Sequence, residues 1–187
     1  MSQVALFLYG TLLHRPLLHV VLGRTPGALT PAILESARAF WVADCAYPML
    51  QMDMQGTVTG ALLEDLTDTD LARLDFYEGA FGYGRKTITC ADGTPAEVYL
   101  PDTSPGPPGA ARDVSDWAAR RGELSVRAPP EAMAYLGDKT AHEMGQRFPS
   151  IRARAAAQLL AQAARHGASA FQGRSECSRP SFPFSKF

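Results

Sequence analysis

Cysteine is scarce and scattered: Cys45, Cys90 and Cys177 are the three among 187 residues. That spacing is neither a disulfide framework nor a metal-ligand pattern. It fits a reducing, cytoplasmic setting in which Cys45 and Cys90 pack as small hydrophobes. Long apolar runs are missing as well. The first such run, near the N-terminus, has no basic stretch ahead of it and is too short to cross a bilayer, so neither export nor membrane insertion is expected. No charge of one sign dominates, since 18 Lys and Arg stand against 19 Asp and Glu, a formal net charge of -1. Nothing global therefore favours nucleic acid, and a small acidic or neutral ligand needs only local positive charge. The four histidines, His14, His19, His142 and His166, lack His-Glu-x-x-His spacing. A Gly-x-Ser-x-Gly elbow, a Walker loop and a strand-borne Gly-x-Gly-x-x-Gly are also missing.

What is present is enough for a core. Apolar residues make up 46% and charged residues 20%, which fits one globular domain of ordinary size with an appendage. The opening stretch "LFLYGTLLHR" raises the first functional hint. Val4 to Leu8 reads as a short strand, Gly10 permits backbone angles that a Cβ penalises, and Leu12 to Leu22 reads as a helix. A strand, a tight loop and a helix start gather unpaired backbone N–H groups at one spot. Such a nest suits a carboxylate, a carbonyl oxygen or a phosphate.

Up to about residue 101 the chain alternates short strand-like runs with turns: 37–43, 56–64, 84–90 and 96–100. Branched and polar residues mix in "GTVTG" and "RKTITC" as in antiparallel strands with one wetter face. Between them, Thr67 and Asp70 have capping-box spacing, so a helix follows over Leu71 and Leu74 and ends near Gly79. "PDTSPGPPGAA", 101–111, holds four prolines and two glycines, which exclude helix and central strand. Three helical segments follow over 114–124, 129–148 and 149–167, with Pro130 and Pro149 placed in first turns. Ile151, Ala155, Leu159 and Ala163 form the apolar stripe of the last, and Arg152, Arg154 and Arg165 lie elsewhere on its surface. The division is a module over 1–101, a Pro/Gly linker over 102–112, a helical extension over 113–170 packed on the module, and a loose tail over 171–187. Because strands 84–90 and 96–100 are joined too tightly for a crossover helix, the class is α+β.

The second informative stretch is "LARLDFYEGAFGYGRK", 71–86. Asp75 and Glu78 are three residues apart and share a helix face. Glycines at 79, 82 and 84 let the chain wrap around Phe81 and Tyr83, and Arg85 can pair with an acid or with a substrate carboxylate. A carboxylate at the mouth of such a pocket gains basicity by desolvation, as a proton-transfer residue requires. The same residues also read as the polar end of an amphipathic helix followed by a surface strand.

Taken together, "LFLYGTL" (6–12), "YPML" (47–50), "GTVTGALLE" (56–64), "LARLDFYEG" (71–79), "YGR" (83–85) and "EVYL" (97–100) resemble the gamma-glutamylcyclotransferase-like, or AIG2-like, family. The resemblance covers roughly residues 3–101. It implies a mixed sheet closed into a small β-barrel with flanking helices, and release of 5-oxoproline from gamma-glutamyl amines or amino acids without metal or redox cofactor. By the same resemblance, Tyr9, Gly10, Thr11 and Leu12 hold the glutamyl portion, Glu78 is the acid/base glutamate, and Tyr83 and Arg85 shape the pocket that binds it. The expected partner is a small gamma-glutamyl substrate, with no nucleic acid or membrane, and the expected state is a monomer or small homo-oligomer. The helical part outside the module resembles the front of bacterial proteins that continue into a Nudix hydrolase domain, although no glutamate-rich Nudix box occurs here. That second resemblance supports a rival role: a non-catalytic small-ligand-binding or protein-interaction module.

Overall fold

The computed structural model describes residues 5–42, 48–102, 108–111 and 114–171. Six strands form one sheet: β1 (Leu6–Leu8), β2 (Thr30–Val42), β3 (Pro48–Leu63), β4 (Tyr83–Thr89), β5 (Pro95–Pro101) and β6 (Pro108–Ala111). Four helices accompany it: α1 (Arg15–Leu22), α2 (Asp68–Gly79), α3 (Val114–Met133) and α4 (Ala141–Phe171). The strand order is β4-β5-β1-β3-β2-β6, with every pairing antiparallel except that of β1 with β5. The mixed sheet with flanking helices matches the expectation, but the barrel does not. The sheet is open, with β4 and β6 as its two edges and no ladder joining them among the described residues. β6 has only four residues and pairs through Phe40 and Val42 alone. Its Pro108 lacks an N–H, which suits a border strand.

β1 is buried on both faces, and its side chains alternate between two apolar clusters. Leu6 and Leu8 face a cluster that includes Leu17, Leu18 and Val21 of α1, Leu74 of α2, Ala128 of α3 and Met144, Ile151 and Ala155 of α4. Phe7 joins Leu34, Val58, Leu62 and Val98 on the other side. Cys90 is buried there too, as expected of a small hydrophobe. Cys45, Cys177 and the 172–187 portion of the tail lie outside the described residues.

The helical part departs from the sequence reading in its boundaries. Two helices replace the three expected, and Pro130 and Pro149 are helix-interior residues rather than first-turn ones. The reason at Pro149 is a capping box that begins nine residues before it. Thr140 Oγ1 accepts from the Glu143 N–H at 3.2 Å, and Glu143 Oε2 accepts from the Thr140 N–H at 2.9 Å. This Thr-x-x-Glu pair starts α4 at residue 141, so Pro149 arrives two turns later. Proline has no N–H for the carbonyl four residues back, here that of Gly145.

Candidate active site

The parallel pair places the ends of β1 and β5 side by side, with Leu6 opposite Glu97. Just beyond β1, the Tyr9 hydroxyl donates to the carbonyl oxygen of Tyr99 at 3.2 Å, which ties the loop to β5. Gly10 has φ -115 and ψ -145, outside the left-handed region. Space requires glycine here, since a Cβ would lie 2.8 Å from Cγ of Pro48. Residues Thr11–Leu13 then make one 3-10 turn, with the Leu13 N–H donating to Gly10 at 3.1 Å and the His14 N–H to Thr11 at 3.0 Å. The N–H groups of Thr11 and Leu12 precede the first closed turn and so have no helical acceptor. The expected continuous helix over 12–22 is thus a 3-10 turn followed by α1.

α2 brings the acid to this loop. Thr67 caps it as its spacing indicates: Thr67 Oγ1 accepts from the Asp70 N–H at 3.2 Å, and Asp70 Oδ2 accepts from the Thr67 N–H at 2.8 Å. Asp70 is itself buried. Burial alone would raise its carboxyl, but hydrogen bonds from Arg24 and Thr67 outweigh that effect and hold it at about 2. With its start fixed in this way, α2 presents Tyr77 and Glu78 at its far end. No hydrogen bond or ion pair engages the Glu78 carboxylate among the described residues. The residue is only half-buried, yet its carboxyl group lies deep, and desolvation pushes it up to about 7.

Glu78 and the loop open onto one cavity of about 590 Å³. Tyr9, Gly10, Thr11, Leu12, Tyr83 and Glu78 all line it, so six of the seven residues singled out from sequence converge in space. The seventh, Arg85, is not on the wall. Its guanidinium holds Asp75 through two contacts of 2.8 and 3.2 Å and Glu97 through one of 2.6 Å. Asp75 also accepts from the Tyr99 hydroxyl at 2.7 Å. Arg85 therefore bears on the pocket through Asp75 and Tyr99, and Asp75, the other acid of the pair, is committed to that network. Burial, and then the bond to Asp75, push the Tyr99 hydroxyl far up, so it stays a neutral donor. Tyr83 donates to the Pro48 carbonyl at 2.9 Å, fixing the proline that packs on Gly10.

Across the cavity stand apolar side chains of the helical part, among them Leu124 of α3 and Phe148 of α4. Phe148 meets Phe81 edge-on at 4.8 Å between centroids, and Phe81 meets Tyr77 at 5.4 Å. These contacts are edge-to-face packing of the favourable kind. The helical part thus supplies a wall of the cavity and does more than cover the sheet.

Residues 6–119 match the family model described as gamma-glutamyl cyclotransferase, AIG2-like. The chain belongs to that family. A curated relative, AIG2-like protein C of Arabidopsis thaliana, is 35% identical over 99 residues, which are 53% of this chain and 52% of that protein. The chain therefore spans about half the length of that relative. Among solved structures, one Arabidopsis thaliana protein determined in solution superposes with a TM-score of 0.52 at 20% identity, covering 75% of this chain and 96% of that one. Another from the same plant gives 0.51 at 22%, over 73% and 84%. At these identities the two structures speak to fold alone. Among the described residues of this family member, no helix is long and apolar enough to cross a membrane.

Proposed function

We propose that this family member is a cyclotransferase that converts a gamma-glutamyl conjugate of a small amine into 5-oxoproline and the free amine, with Glu78 as its proton carrier. The observation that carries the reading is the Glu78 carboxyl: unpaired among the described residues, facing the same cavity as the Tyr9–Leu12 loop, and raised by burial to about 7. An acid/base group works best with a pKa near the working pH.

The chemistry needs no protein nucleophile, because the substrate carries its own. As a carboxylate, Glu78 takes one proton from the substrate's α-ammonium group. The freed amine nitrogen attacks the γ-carbonyl carbon and forms the ring C–N bond. Glu78 returns its proton to the departing nitrogen as the original amide C–N bond breaks. The extra proton left on the ring nitrogen then passes to the released amine, which leaves as an ammonium ion. The N–H groups of the 10–12 loop serve either the charge gathering on the γ-carbonyl oxygen or the substrate's α-carboxylate. The pocket's main contribution is to select the folded substrate conformer in which amine and carbonyl meet.

The test is 5-oxoproline release from a panel of gamma-glutamyl amino acids and amines, run on the parent protein beside Glu78→Gln. Release by the parent and not by the variant is the expected result. Equal release from both would remove Glu78 from the reaction. Silence from a folded parent that still binds these compounds would favour the ligand-binding module instead. The Nudix-linked form of that role draws no support from the family match or the relatives described above.

A further inference from the structure

The wall that α4 contributes is one face of that helix: Gly145, Phe148, Pro149, Arg152, Ala153 and Ala156 line the cavity at helical spacing. Five of these six are small or apolar, and one is charged. Arg152 is the single cation among the described cavity-lining residues. Among the described residues, no hydrogen bond or ion pair engages its guanidinium. Its neighbours on the helix behave differently, since Arg154 pairs with Glu131 and Arg147 lies over the Tyr135 ring. The charges of Arg152 and Glu78 both reach the Tyr77 hydroxyl, with opposite effects on it, so the two groups face the same enclosure. α4 also lies beyond residue 119, where the family match stops.

An unpartnered guanidinium on an apolar cavity wall is a site for a carboxylate, which it meets through two parallel N–H donors. The enclosure is also larger than a glutamyl group needs, since about 590 Å³ falls in the range that holds a drug-sized ligand. The remaining space is bounded by Phe81, Phe148, Leu124 and Ala128, which suits an apolar group. Accordingly, we infer that Arg152 binds the carboxylate of the leaving amine, so that this enzyme selects gamma-glutamyl conjugates of bulky apolar amino acids over conjugates of the matching amines that lack a carboxylate. This rests on the proposed reaction for its sense, while the carboxylate site itself can be measured without turnover.

The experiment compares two probes, gamma-glutamyl-phenylalanine and gamma-glutamyl-phenethylamine, which differ by one carboxylate. Their binding is measured by calorimetry in Glu78→Gln protein, with and without Arg152→Met, and their turnover is measured in the parent. With Arg152 present, the phenylalanine conjugate should bind tenfold or more tightly than its counterpart, as a charge-assisted bidentate contact predicts. In Arg152→Met the difference should vanish through weaker binding of the carboxylate-bearing probe alone, and Arg152→Lys should restore part of it. Equal binding of the two probes with Arg152 present would overturn the inference. So would an equal loss for both in Arg152→Met, which would place Arg152 on the glutamyl end. Absence of binding by either probe would overturn it too. The two readings fail separately: turnover without the Arg152-dependent difference removes this site only, whereas the difference without turnover removes the reaction and keeps the site.

Discussion

Replacing Glu78 with glutamine should make the protein more stable while stopping its chemistry. In the unfolded chain the carboxyl ionises at its ordinary 4.5, and in the folded protein burial raises it to about 7. A carboxyl raised on folding favours the folded state while protonated. Its ionised form is penalised by an amount that grows as pH rises from 4.5 and levels off above about 7. The interval between those values converts to about 3 kcal/mol at 25 °C. This figure is a ceiling, because water entering the cavity hydrates the anion. For a chain of this size that corresponds to roughly 6–12 °C in Tm at the ceiling. The assay is thermal or denaturant unfolding of parent and Glu78→Gln side by side at several pH values from 4 to 9. Subtracting one protein from the other at each pH cancels every other titrating group. The expected difference is small at pH 4, grows toward pH 7 and is flat at pH 8 and 9, always in favour of glutamine. A gap that does not change with pH, or a variant less stable than the parent at pH 8, would refute the desolvated carboxylate on which the proposed proton transfer depends.

Three further outcomes follow from the same geometry. In the parent, kcat/KM for 5-oxoproline release should rise through about pH 7 as Glu78 becomes a carboxylate; an acid limb centred near 4.5 instead would show that the acting group is not desolvated. Gly145→Ala would drive a Cβ into the carbonyl oxygen of Ala80, pushing α4 off the end of α2 at a cost of about 1–3 kcal/mol, and an unchanged Tm would show that the helices are not seated as described. Asp70, held at about 2 against an ordinary 3.8, contributes stability that is fully present above pH 4 and is lost as pH falls through 2. Asp70→Asn should therefore cost about 2 kcal/mol at pH 7 and much less at pH 2, as acid-dependent unfolding would show.

How much of this was legible in the sequence depends on how local the deciding interaction is. The start of α2 needs only Thr67 and Asp70, three residues apart, and the loop after β1 is set by a strand that stops at a glycine. Glu78 and the loop could be matched because both lie in short, ordered segments of one module. Sheet closure is different in kind. It depends on whether β4 and β6, separated by eighteen residues, pair with each other, and alternation within a strand carries no information about that. The end of the linker hid a border strand for a related reason: four residues with proline in them become a strand only when a partner's edge is available. Pro149 was misplaced because the Thr-x-x-Glu signal at 140–143, which was there to be read, outranks a proline as a helix start. Once α4 begins at 141 its register is fixed, and that register turns Arg152 toward the cavity. The sequence reading had set Arg152 aside as a surface residue because it lies off the Ile151–Ala155 stripe. The structure shows two useful faces on one helix.

Those two faces have an evolutionary consequence. Of the residues that α4 shows to the cavity, Gly145 and Phe148 also seat the helix, against Ala80 and Phe81, whereas Arg152 and Ala156 stand apart from the anchoring Ile151 and Ala155. At those two cavity-facing positions the lining of the cavity can change without loosening the helix. A lineage, or a protein engineer, can exchange Arg152 and Ala156 like the bits of a key while the proposed lock, Glu78 and the Tyr9–Leu12 loop, stays untouched.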